Sequence, residues 1–188
     1  MLSEDLRQKL LEVNSSKKKR LEVAFWVAKK PQNIREILQY GLNDESDLLV
    51  PSAYVLEIIS EYKAETFLKY SHLFFDQLPS IQNHSALRAC AKICEMLCRF
   101  HYTQQFDIFS DLLSESERQC ITECCFDWLI SDQKVACQVP AMQCLYYLGF
   151  EEESQWIHPE LKIILTQNAP LMSAGYKARA RKILKDLE

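Results

Sequence analysis

Cys90, Cys94 and Cys98 recur every four positions, and His101 follows three residues later. Thiolates and an imidazole on one helix face are zinc-binding chemistry. Cys94, Cys98 and His101 keep i, i+4, i+7 spacing, and Cys120 and Cys124 repeat the i, i+4 step further along. An antiparallel helix pair would set Cys98 level with Cys120 and Cys94 level with Cys124. A helical wheel at about 100° per residue opposes the metal reading. Arg88, Lys92, Glu95 and Arg99 share one arc, while Cys90, Cys94, Leu97 and His101 fall on or beside the opposite arc, with Cys98 at its margin. Thiols on the apolar face of a long helix are small packing residues. Structural zinc is usually held by CxxC knuckles, which this chain lacks. The reading is therefore core packing, with Cys94, Cys98, His101, Cys120 and Cys124 as the metal alternative. Neither metal nor cofactor is expected. Cys124 and Cys125 are adjacent and point about 100° apart on a helix, so no disulfide joins them.

The remaining reactive types form no catalytic constellation. His72, His84, His101 and His158 stand beside no defensible serine–acid arrangement, and His158 precedes Pro159 at a helix start. Glu151-Glu152-Glu153 reads as a solvated loop. Phosphate-cradling glycine loops of the GxGxxG or GxxxxGK[ST] kind are absent. Two basic clusters stand out: Lys17 to Arg20, and Lys177, Arg179, Arg181, Lys182 and Lys185. The first opens a helix, where the macrodipole disfavours cations, which hints at a function. The second suits the polar outer face of a terminal capping helix or contact with an anion. Trp128 and Trp156 read as core. No catalytic residues are assigned, and a non-enzyme is expected.

The elements that would position these residues are helices. Only 3 of 188 residues are glycine, where average usage gives about 13. The chain is 48% hydrophobic, 26% charged and 11% aromatic, a globular composition. Net charge is −4 with a pI near 5.7, a balance that disfavours nucleic acid as the partner. Eight cysteines without an apolar leader suggest free thiols in a reducing compartment, so a cytoplasmic location is expected. No apolar run is long enough to span a membrane.

Ser3 caps a first helix reaching about residue 13, with Glu4 and Asp5 in its first turn. Further helices are expected over about 17–30, ended by Pro31, then 34–42, 51–62, 64–78 closed by Pro79, and 86–102 opened by Ser85. After a loop at 103–105, the Ser114–Glu117 capping box starts a helix over 115–130. The next, 133–148, holds Pro140 and should be kinked or split there; Gly149 suits its C-terminus. Helices at 159–168, begun by Pro159, and 174–187, capped by Ser173, complete the chain.

Four segments share a small residue followed by an apolar ridge, at Ala53, Ala91, Ala141 and Ala180, spaced 38, 50 and 39 residues apart. Two helices per 40 to 47 residues is the period of HEAT and armadillo arrays. LRACAKICEML at 87–97 resembles the first-helix signature of HEAT repeats, and YKARARKIL at 176–184 is similar. With CFDWLISD and WIHPEL, the stretch from Ile121 to Leu184 resembles a small family of bacterial HEAT-like proteins, over residues 46–188. That family sometimes carries an adenylosuccinate lyase label. Such lyases have a much longer chain and a serine loop of SSxMPxKxNP type, and this chain has no such loop.

The expected fold is all-α, an α-α superhelix built as a short HEAT-like solenoid. It is one domain, with residues 1–45 as an N-terminal helical cap and 46–188 as helix pairs. The expected function is a binding module or scaffold for a protein or peptide. Second helices at 64–78, 115–130 and 159–168 would form the concave face. Lys69, Gln119, Glu123 and Asp127 are its candidate contacts, with Lys177 and Arg181 on the terminal helix. The second reading is a DNA-binding protein of the HEAT type related to base-excision glycosylases.

Overall fold

In a computed structural model, residues 2–102 and 112–188 are described; the loop expected at 103–105 lies outside them. The described residues are all-helical, with no strand. They are α1 (Glu4–Leu11), α2 (Lys17–Ala28), α3 (Pro31–Glu36), α4 (Leu49–Tyr62), α5 (Ala64–Leu68), α6 (Ser71–Gln77), α7 (His84–Tyr102), α8 (Glu115–Ile130), α9 (Val135–Leu148), α10 (Ile157–Asn168) and α11 (Ala174–Asp186). Short π or 3-10 turns follow α3, α6, α9 and α10. None of these helices is long and apolar enough to cross a membrane.

The chain forms two compact units, Met1–Ile93 and Cys94–Glu188. The boundary falls inside α7. In the first unit, α2 packs on α4, and α1 touches both. Val23, Ala24, Val27, Ala53, Val55 and Leu56 have no exposed surface. The basic start of α2 is held locally. Lys19 lies 2.6 Å from Glu12 and 3.1 Å from Glu22. Arg20 stacks 3.8 Å over the Tyr54 ring and donates to the Asn14 carbonyl at 2.8 Å. The macrodipole conflict is answered by these acidic and aromatic neighbours, so for Lys19 and Arg20 it marks packing rather than a site.

Proline and loop chemistry moved several boundaries. Pro31 begins α3 rather than ending α2, because a first-turn position needs no N–H. The expected 64–78 helix breaks at Lys69 and Tyr70. Phe67 and Phe74 would lie about 10 Å apart along a straight helix; the break brings their rings to 5.8 Å, and both are fully buried. Pro79 sits in a 3-10 turn, Leu78–Ser80. Asn83, not Ser85, caps α7: its Oδ1 accepts from the Ser85 and Ala86 amides at 2.9 and 3.2 Å. Pro159 lies in the first turn of α10, which begins two residues earlier.

In the second unit, α9 is the hub, packing on α8, α10 and α11. Nine of its side chains are buried, including Cys137, Ala141, Met142, Cys144, Leu145 and Leu148. It is not split at Pro140. An internal proline costs about 3 kcal/mol, less than the gain from burying several side chains worth about 1.5–3 kcal/mol each. The capping box at Ser114 and Glu117 forms as expected, and Ser173 accepts the Tyr176 amide. Gly149 is not a left-handed cap, since its φ is −70°. It is small because the His158 ring lies against it: an added Cβ would come within 2.5 Å of Nε2 and 2.9 Å of Cγ.

Candidate functional site

Helix α11 is amphipathic because Tyr176, Ala180 and Ile183 recur at core spacing and turn inward. Its basic residues therefore divide between two other faces. Arg179 is tied down, donating to Glu95 at 3.1 Å and Gln143 at 2.7 Å. Lys177, Arg181 and Lys185 follow at i, i+4, i+8 along another edge. Among the described residues they make no ion pair and no side-chain hydrogen bond. All three line a groove of about 690 Å³ between α10 and α11. Its apolar lining is Leu165, Ala169, Pro170 and Leu184, with Thr166 and Glu188 at the edge. Only Leu165 of these is buried, so the groove is an open surface. Lys162 donates to the Leu187 carbonyl at 2.8 Å, tying α10 to the end of α11.

Chemically this is a cationic rail beside an apolar floor. It can hold an anionic group by charge and an apolar group by contact.

Comparison with protein-family models, with curated proteins and with solved structures returns no match.

Of the residues expected to contact a partner, Lys177 and Arg181 meet in this groove. Gln119, Glu123 and Asp127 form an exposed stripe along α8, with Gln119 donating to Glu123 at 2.9 Å. Lys69 is exposed at the break between α5 and α6, in the first unit. Sequence reasoning left Lys185 out of the site, although it continues the same four-residue step. It also missed Leu184, Ala169 and Pro170, because the floor is built from two helices and a turn that no linear pattern joins.

The cysteine helix is decided by packing. Cys90, Cys94 and Cys98 are fully buried, so Cys98 is a core residue rather than a marginal one. Its thiol partner is Cys144 on α9, and Cys144 also meets Cys125. Cys124 meets Cys120 on its own helix. Helix α9 lies next to Cys98, a placement that helical spacing does not encode. Burial raises the pKa of Cys98 and Cys144 well above the ordinary thiol value and pushes Cys125 and Cys137 up to about 12. Such thiols are poor nucleophiles. No three His, Cys, Asp or Glu side chains among the described residues are grouped to hold a metal.

Glu151 departs from the solvated-loop reading. Arg118 contacts it at 3.0 Å, the Tyr102 hydroxyl donates to it at 2.5 Å, and His101 Nε2 lies 3.8 Å away. Burial, then the bond to Glu151, raises the Tyr102 pKa above the usual phenol range. Arg118 also donates to the Leu113 carbonyl at 2.7 Å. The cluster joins α7, α8 and the segment after α9, a structural knot with every carboxylate oxygen engaged. His158, in the first turn of α10, is held against α9, its Nε2 lying 2.9 Å from the Tyr146 carbonyl.

Proposed function

We propose that the protein is a non-catalytic binding module of the HEAT-like helical-repeat kind, and that its partner is a protein or peptide segment seated in the α10–α11 groove. The observation that carries this reading is the set of three cations, Lys177, Arg181 and Lys185, unpaired among the described residues and set beside an apolar floor. A capping helix needs only solubility, which scattered charge supplies; it does not need cations aligned along one groove.

Packing in the second unit supports the repeat reading. Alternate helices meet: α9 touches α7 through Cys98 and Cys144, and α11 through Gln143 and Arg179. Phe126 of α8 stacks on Trp156, beside α10, at 5.5 Å. The alanines at the four repeat positions, 53, 91, 141 and 180, are all fully buried, as close helix approach requires.

Selection from a displayed random peptide library tests the proposal. Enriched peptides should bind the wild-type protein and lose affinity for Lys177→Glu/Arg181→Glu. Peptides that bind both proteins equally would remove the groove as the site. If no peptide is enriched and duplex DNA is retarded in a gel at moderate salt, the glycosylase-like reading replaces this one.

A further inference from the structure

Resting on that reading, we infer that the groove's occupant is an amphipathic α-helix from a partner protein that carries carboxylates at i, i+4 and i+8 beside an apolar stripe. Charge is the first reason. Lys177, Arg181 and Lys185 advance about 6 Å per step along α11, spanning about 12 Å. Acidic residues one turn apart on a helix advance by the same 6 Å, so three charges can meet three. The rail stops there, because Glu188 lies at its end and would repel a fourth carboxylate.

Backbone chemistry chooses between a helix and an extended chain. Alternate residues of a strand also repeat at about 6.7 Å, so spacing alone does not decide. A strand pressed on this floor would lose water from its N–H and C=O groups. Strand recognition normally replaces those bonds from a sheet edge. The groove walls are helices α10 and α11, whose backbone groups are spent on their own turns, and no strand is present among the described residues. A helix satisfies its own backbone and offers only side chains, the helix-in-groove mode.

Openness excludes a small acidic metabolite as the main occupant. Binding sites for small molecules bury most of the ligand. Here Thr166, Pro170, Arg181, Lys185 and Glu188 are all exposed, and only Leu165 is buried. Leu165, Ala169, Pro170 and Leu184 form a strip that suits leucine-sized anchors from one side of a docked helix.

The test uses the full chain and a designed, fluorescently labelled 16-residue peptide. It has Glu at i, i+4 and i+8 and Leu at the flanking i+1 and i+5 positions. A scrambled peptide of equal composition is the control, and anisotropy is read at low and high salt. Binding should exceed that of the scramble by about tenfold and fall about tenfold in Arg181→Glu/Lys185→Glu. It should weaken as salt rises, because these charges are exposed. Lys182→Glu, on the same helix but outside the groove, should leave affinity within about twofold. Peptide circular dichroism should gain helix on binding. Equal binding of designed and scrambled peptides, or an extended bound form, overturns the inference. So does binding to phosphatidylserine vesicles with none to the peptide, which would make the rail a membrane contact. If library-selected peptides of another pattern still occupy the groove, this inference fails while the proposed function stands.

Discussion

Replacing Gly149 by alanine sets two effects against each other. At φ −70° and ψ −4° the backbone already suits alanine. Removing a glycine from a compatible position stabilises by about 0.4–1 kcal/mol through the unfolded chain. The new methyl, however, would overlap the His158 ring, within 2.5 Å of Nε2. That ring has little freedom to retreat. Its Nε2 is bonded to the Tyr146 carbonyl at 2.9 Å, and its face meets Phe150 with centroids 4.7 Å apart. Overpacking of this kind costs about 1–3 kcal/mol, so the clash wins. Gly149→Ala should destabilise the second unit by about 1–2 kcal/mol net. Gly175 provides the internal control, since nothing lies within 4 Å of a Cβ built there. Gly175→Ala should stabilise by up to about 1 kcal/mol. Urea unfolding read by tryptophan fluorescence reports on this unit through Trp128 and Trp156, with Trp26 in the first unit as a separate signal. The sharpest reading comes from His158→Ala, which removes the clash but loses its own packing. Within that background, Gly149→Ala should turn from destabilising to neutral or stabilising. If the sign does not change, the close approach of His158 is not why position 149 is glycine.

The buried thiols predict alkaline lability. Cys98, Cys125, Cys137 and Cys144 have folded pKa values above the reference of 9.0. Their stabilising contribution is intact below the unfolded pKa. It is lost as pH rises, because the unfolded thiols release protons first. Stability should fall as pH rises from about 8 to about 10, by on the order of 1 kcal/mol per thiol; a urea midpoint that stays flat over that range would refute it. Thiol-reagent labelling of the native protein should be fastest at half-exposed Cys120 and slow at Cys98 and Cys144 until the chain unfolds. Glu151→Gln keeps the shape but removes the charge held by Arg118 and Tyr102. A charge-assisted bond contributes about 1.5–3 kcal/mol, reduced here because both Glu151 and Arg118 are about a quarter exposed. A loss of about 1–2 kcal/mol is expected in urea unfolding, and Arg118→Met should cost less in the Gln background than in the wild type, its remaining cost being the bond to the Leu113 carbonyl. Additive losses would show that the two residues act separately.

The sequence by itself determined that this protein is helical and where several helices begin. Glycine scarcity, the capping box at Ser114 and Glu117, and Ser173 act within a few residues, so their consequences are local and legible. The wheel through 86–102 also placed the cysteines on the core side without any knowledge of neighbours. Tertiary structure decided what those faces meet. Cys98 meets Cys144 on α9, and Glu151 leaves its loop to bind Arg118 and Tyr102. Lys19 and Arg20 are absorbed by Glu12, Glu22 and Tyr54, while Lys177, Arg181 and Lys185 find no ion-pair partner among the described residues and line a groove. Both basic clusters look alike as sequence. Charge pairing and groove formation depend on which helices pack side by side, and the paired side chains lie up to 84 positions apart along the chain, as Arg179 and Glu95 do. Periodicity fixes the face a residue occupies; packing between helices fixes what stands opposite it.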